Sequence, residues 1–251
     1  MKICIAQTKS LKGEVSKNIE NHLRIVEAAV KLKADLIIFP ELSITGYEPD
    51  LAQSLATNIE NNIFDPFQAL SDKSTITIGV GMPIYATDGI NISMLIFQPN
   101  QSRVVNSKQL LHKDEMPYFT SGKSQVILSI KNHKIAFGIC YESLQRPHFL
   151  KAKQKGADIY IASAAKPKAG IEKAYNYYPT IAKEFNTPVL LSNCVGYCDN
   201  FLSLGNSAIW NEKGKLLEYL NTENQGILVY DLDSNSTEKQ YLTSTFSEKV
   251  G

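Results

Sequence analysis

The 251 residues are 43% hydrophobic and 20% charged, enough apolar material for a large core in one α/β domain. With 26 Lys and Arg against 25 Asp and Glu, the formal net charge is +1, which leaves no electrostatic footprint for nucleic acid or an acidic membrane surface. The apolar run at the start covers only Ile3 to Ala6, against the roughly 7–15 residues of a secretory signal, and nothing approaches the ~18 residues of a membrane span. Four cysteines (Cys4, Cys140, Cys194 and Cys198) in a chain this long make no disulfide framework. The expectation is a cytoplasmic protein with reduced thiols.

Short apolar runs alternate with helical patterns, as in layered α/β folds. Residues 2–7 read as a buried strand. Over 16–33, Ile19, Leu23, Val26 and Val30 recur at helical spacing, so one face packs inward. "ADLIIFPE" (34–41) is a strand that meets a proline and ends on a glutamate. Residues 75–81 and 91–99 are two more strands, with Asp88-Gly89 as a turn signal between them. Strands follow at 134–140, 158–165 and 187–193, separated by helices at about 146–156 and 172–186. "SAIW" and "KLLEYL" flank a hairpin turn at "NEKG", and "GILVYDLD" (226–233) is the last strand. Neither linker nor low-complexity stretch interrupts the chain, so residues 1–251 are expected to form one domain. From about 234 a polar tail follows, a candidate to reach across to another subunit.

Several strands end on a polar or reactive residue: Glu41, Cys140, Ser163 and Asn193. Ligands collect at the carboxyl ends of strands in open α/β sheets, so these residues are candidates for a common cleft. For Cys140 alone, core filler, redox thiol, metal ligand and nucleophile all remain open. A thiol nucleophile needs a base and a cation or N–H donors for the oxyanion. The histidines are poorly placed for that work: His22 lies within an amphipathic helix, His112 and His133 in polar loops, His148 at a helix start. Cys194-x-x-x-Cys198 is too weak a pattern for zinc. No metal or cofactor is expected. Glu41 follows four apolar residues and a proline, a setting that buries a carboxylate and raises its pKa. Lys108 follows the strand-like "RVVNS".

"FPELSITGY" (39–47), "SKQLLHKDEMPYFTSG" (107–122) and "GICYE" (138–142) together resemble the nitrilase superfamily of carbon–nitrogen hydrolases, whose signature is a Glu-Lys-Cys triad in that chain order. "IAQ" with Asn18, and the late segment 192–217, extend the resemblance over nearly the whole chain, as a stand-alone member. It implies a four-layer α-β-β-α sandwich and the triad Glu41, Lys108 and Cys140. It also implies that Glu115 is a second acidic residue positioning Lys108 or the substrate. One departure is "CYESLQRPHF", where Glu142 replaces the usual Asp and Arg146-Pro147-His148 replaces the expected Pro-Glu region.

The residue types support a nucleophile: a cation beside Cys140 favours thiolate, Lys108 stabilises the oxyanion, and the Tyr141 N–H is a natural second donor. Glu41 takes the thiol proton, passes it to the leaving amine and then activates water. Tyr47 and Ser163 are candidate pocket residues, with Lys166 also near the ligand. The leading expectation is an amidase acting on a small linear amide or N-carbamoyl compound. Nitrile hydrolysis by the same triad, a non-catalytic protein keeping the fold, and a redox thiol are alternatives. The partners expected are substrate and water, with no nucleic acid or membrane. The resemblance also implies a homodimer or larger assembly, with the two helices at 146–156 and 172–186 and the C-terminal tail as expected contributors, the second helix rich in Tyr175, Tyr177, Tyr178 and Phe185.

Overall fold

In the computed structural model, which describes residues 1–243, the apolar runs sort into two sheets. The first half of the chain runs β1 (Lys2–Gln7), α1 (Val15–Lys31), β2 (Leu36–Ile38), α2 (Ala52–Leu55), α3 (Asp65–Ser74), β3 (Thr77–Ala86), β4 (Gly89–Phe97) and β5 (Val104–Ser107). The second half opens with β6 (Ile127–Ile130), β7 (His133–Ile139), α4 (Arg146–Gln154), β8 (Ile159–Ala164), α5 (Lys168–Phe185) and β9 (Val189–Asn193). A hairpin of β10 (Val195–Cys198) and β11 (Phe201–Leu204) follows, then β12 (Ala208–Trp210), β13 (Leu216–Tyr219), β14 (Gly226–Asp231) and β15 (Ser236–Tyr241).

One sheet has the order β15-β14-β1-β2-β3-β4-β5, the other β13-β12-β9-β8-β7-β6. Both are mixed: β1, β2 and β3 are parallel neighbours, as are β7, β8 and β9, and the outer pairs are antiparallel. The strands are apolar on both faces because each face meets a different layer. Ile3, Ile5, Leu36, Ile38 and Ile92 of the first sheet pack on Ile135, Phe137, Ile159 and Ile161 of the second. The alternate residues Cys4, Ala6, Ile37 and Ile78 meet α1 and α3. Across the molecule, Ala136, Tyr160, Ala162 and Leu191 meet α4 and α5. The order of layers is therefore helix, sheet, sheet, helix. At one end, hydroxyls join the two sheets directly: Ser192 Oγ donates to Ala6 O at 2.7 Å and Ser163 Oγ to Phe39 O at 2.8 Å.

Two expectations change. Residues 236–241 do not form a free polar tail but pair antiparallel with β14 as an edge strand, register Asp231↔Ser236 to Gly226↔Tyr241. Residues 244–251 of the expected tail lie outside the described residues. Three of the four aromatic residues of α5 pack inside the protein, while the half-buried Tyr177 faces the cavity. Tyr178 is buried against Trp210, Tyr175 packs on the same ring and bonds Asn206 O, and Phe185 packs on Phe149. The histidines behave as core or surface residues. His22 stacks on Phe39 at 4.2 Å, and burial pushes its pKa down to about 3. His148 accepts from or donates to the Tyr160 hydroxyl at 2.9 Å.

Candidate active site

Glu41 sits in the tight loop that leaves β2. Phe39 N donates to Gly79 O and Ile44 N to Gly81 O, which folds the loop back over β3. That approach needs glycine at 81: a Cβ there would lie 2.3 Å from Leu42 N and 2.6 Å from Pro40 O. Lys108 follows β5 directly, with its N–H on Ile92 O at 2.8 Å and its carbonyl accepting from Gly122 N at 2.7 Å. From these two anchors its fully buried ammonium donates to Glu41 Oε1 at 2.7 Å and Glu115 Oε1 at 2.6 Å. Glu115 is held in turn by the His112 N–H on Oε2 (2.7 Å) and the Tyr47 hydroxyl on Oε1 (2.9 Å).

Cys140 follows β7 with φ +47°, a left-handed conformation unfavourable for a side-chain-bearing residue. Its N–H donates to Ser163 O at 2.8 Å, which continues the β7–β8 pairing, and the chain then turns into a 3₁₀ turn at Glu142–Leu144. The sulfur is thereby turned out of the strand, as a nucleophile on a strand-to-helix elbow is. Sγ lies 3.6 Å from Ala165 O and 3.7 Å from Lys166 Nζ. The Tyr141 N–H has no hydrogen-bond partner among the described residues.

Burial raises the Glu41 pKa, opposed by Lys108 and the Cys140 side chain and reinforced by Glu115. Its Oε2 is buried without a hydrogen-bond partner, a base with one lone-pair edge uncommitted. Burial alone would lower Lys108, but Glu41, Cys140 and Glu115 outweigh it and keep the ammonium charged. Burial and the Glu41 charge push the Cys140 thiol up to about 11, while Lys166 and Lys108 pull it down. Thiolate therefore forms readily only as its proton moves to a nearby acceptor.

A cavity of about 820 Å³ opens over Cys140, lined also by Tyr47, Glu115, Tyr141, Lys166, Tyr177 and Phe201. The structure brings Glu41, Lys108, Cys140, Glu115 and Tyr47 together, with Tyr141 on the cavity wall. Ser163 is the exception. It is 1% exposed, its hydroxyl is committed to Phe39 O, and it does not line the cavity. Its place is structural, bonding β8 to the loop that carries Glu41.

Glu142 likewise has a role the sequence did not reveal. Oε1 accepts from Ile139 N at 2.9 Å, and Oε2 from Gln109 N at 2.6 Å and Leu110 N at 3.1 Å. It clamps the segment after Lys108 to the strand before Cys140 and does not line the cavity. Burial raises its pKa to about 7 against these three donors. Cys194 and Cys198 lie with their sulfurs 3.3 Å apart under Tyr47 and Phe201. Among the described residues no group of three or more His, Cys, Asp or Glu could hold a metal ion, and no helix is long and apolar enough to cross a membrane.

The chain is a carbon–nitrogen hydrolase of the nitrilase superfamily. Residues 2–241 match the Carbon-nitrogen hydrolase family, and the chain belongs to it. Among relatives, it is 24% identical over 252 residues to the Glutamine-dependent NAD(+) synthetase of Aquifex aeolicus, covering 96% of this chain and 44% of that protein. The chain thus spans less than half the length of that relative. It is 25% identical to the "Hydrolase in agr operon" of Staphylococcus aureus over 96% of this chain and 94% of the relative. Its fold matches a mutant of the amidase from Nesterenkonia sp. AN1 in complex with butyramide, with TM-score 0.84, 19% identity and coverage of 94% and 92% of the two chains.

Proposed function

We propose that this carbon–nitrogen hydrolase is an amidase that cleaves a small linear amide or N-carbamoyl compound through a thioester on Cys140. The observation that carries the reading is the buried Glu41–Lys108 pair beside Cys140, which lines a cavity of about 820 Å³, room for a small molecule.

In this reaction Glu41 takes the Cys140 proton and the sulfur attacks the amide carbon. The oxyanion is met by the Lys108 ammonium and the Tyr141 N–H. Glu41 returns the proton to the nitrogen as the C–N bond breaks, and ammonia or an amine leaves. Glu41 then deprotonates a water that attacks the thioester, releasing the acid and restoring the thiol. Burial suits Glu41 to both directions of transfer, since its raised pKa lies nearer the working pH than an exposed carboxylate's. Glu115, with Tyr47 behind it, holds Lys108 in place and lines the cavity beside the substrate.

The same residues support nitrile hydrolysis through a thioimidate. The amide reading is favoured by the fold neighbours, among them an amidase in complex with butyramide. The NAD(+) synthetase relatives are glutamine-dependent, which brings glutamine into the panel of amides to test. The reading includes a single catalytic domain over 1–251, a cytoplasmic setting and a homodimer or larger assembly. Light scattering at micromolar concentration tests the assembly, a monomer counting against it. Ammonia release from matched amide and nitrile pairs, with intact mass of wild type and Cys140→Ala, tests the chemistry. Turnover of an amide with a transient acyl adduct on wild type alone is expected. Turnover of nitriles only, or an adduct that persists on Cys140→Ala, would overturn the amidase reading.

A further inference from the structure

The catalytic floor has an unbalanced charge. Glu41 and Glu115 are two buried carboxylates sharing one ammonium, that of Lys108. Ionised together, these three groups carry one excess negative charge away from water, before the nucleophile contributes a second as thiolate. Excess charge of one sign in a buried site is costly unless a counter-charge is close.

A second ammonium is present. Lys166 follows β8, is 3% exposed and lines the cavity. Its backbone is fixed on both sides: its N–H donates to Asn193 Oδ1 at 2.8 Å, and its carbonyl accepts from Leu204 N at 3.0 Å and Ser203 Oγ at 3.1 Å. Its Nζ lies 3.1 Å from Cys140 O and 3.7 Å from Cys140 Sγ. No carboxylate lies within ion-pair distance of it among the described residues. A buried lysine without an acidic partner, aimed at a sulfur, has the placement of a counter-ion to a thiolate.

We propose that Lys166 is a fourth catalytic residue, the counter-charge that makes the Cys140 thiolate accessible. With Lys166 counted, the set of two carboxylates, two ammoniums and the thiol is neutral. It stays neutral when the thiol proton passes to Glu41, because the thiolate replaces the carboxylate charge. Without Lys166 both states carry a net negative charge, and the one with charge on sulfur loses the cation 3.7 Å from it. Lys108 is enclosed by its carboxylates, whereas Lys166 faces the cavity and stays beside the sulfur as substrate enters. The inference rests on Cys140 being the nucleophile, but not on which substrate it attacks.

Alkylation of Cys140 by iodoacetamide, followed by intact mass from pH 6 to 10, reads the thiolate fraction without any substrate, as a rate that climbs with pH below the thiol's inflection. The other groups facing the sulfur are Glu41, Glu115, Lys108, Tyr47, Tyr178 and, behind the turn, Glu142. All are kept in each variant. In Lys166→Met the rising profile should shift up by about one pH unit, so that alkylation at each pH of the range is about tenfold slower. Lys166→Arg should restore most of the rate. Lys166→Gln, which keeps a donor for Cys140 O but no charge, should behave as Lys166→Met and also serves if the latter fails to fold. A wild-type profile in Lys166→Gln would reduce Lys166 to a backbone prop and overturn the proposal. A shifted profile in an enzyme that turns over no amide would instead uphold it and sink the amidase reading.

Discussion

Cys140 holds a conformation that disfavours any residue with a Cβ, at a cost on the order of 1–3 kcal/mol. Cys140→Ala and Cys140→Gly should both lose about 10³-fold or more in turnover. Cys140→Gly should be the more stable of the two by about 1 kcal/mol in chemical denaturation, reversing the usual penalty for glycine. Equal stabilities, or a less stable glycine variant, would mean the elbow is not strained. Lys108→Arg should be as inactive as Lys108→Met, because a forked guanidinium cannot occupy a site built for one ammonium between two carboxylates. Glu142 gives a pH signature. Burial raises its folded pKa to about 7 from an ordinary 4.5, so the folded chain binds its proton more tightly than the unfolded one. The stability linked to this group is therefore full below about 4.5 and falls as pH rises through about 7. Glu142→Gln should flatten that slope in melting curves from pH 4.5 to 8. It should also lower stability overall by about 1–3 kcal/mol, since its amide nitrogen would face N–H donors. A wild-type slope that persists in Glu142→Gln would assign it to other groups.

At the level of the elements, the site depends on two close backbone approaches. Gly81 lets the Glu41 loop lie on β3, and Gly122 lets the loop before β6 lie on Ser107, where a Cβ would come within 2.5 Å of the carbonyl oxygen. Gly81→Ala should cost about 1–3 kcal/mol and lower kcat by about 10²-fold through displacement of Glu41, with the fold retained by circular dichroism. Unchanged kcat would show that the loop tolerates the shift. These dependencies explain how far the sequence was legible. Strands with two apolar faces announced themselves, and Glu41 and Cys140 follow such strands, while Lys108 follows the short, half-exposed β5. β6 escaped because it is only four residues long, with a polar residue among them, and α3 because few of its ten residues are apolar and buried. Ser163 looked like a pocket residue because it too ends a strand, but whether a strand-end hydroxyl faces a ligand or the opposite sheet depends on inter-sheet stacking, which no local pattern encodes. The clamp by Glu142 and the contact of Lys166 with sulfur are equally non-local.

Across the whole molecule, chemistry and edge protection are separated. The site lies where β2, β5, β7 and β8 end, while β15 sits at the far edge of the first sheet, beyond β14 and β1. β15 is almost entirely exposed, "STEKQY", so its hydrophobic contribution is small and composition alone suggested a tail. What it supplies is backbone pairing: it occupies the outer hydrogen-bonding edge of β14, whose Ile227, Leu228, Val229 and Tyr230 are buried. Its charged side chains suit an edge that must not recruit another strand. A chain ended at Asp233 keeps the ion pair between that carboxylate and the Met1 ammonium but bares the β14 edge. Such a chain should melt at a lower temperature and aggregate on heating, as an unprotected apolar strand edge does. The soluble fraction should keep wild-type kcat and the wild-type iodoacetamide profile, because no residue of 234–243 touches the cavity. Loss of kcat in the soluble truncated chain, at unchanged Cys140 reactivity, would mean that the C-terminal segment serves the site after all, as a contribution from a neighbouring subunit would.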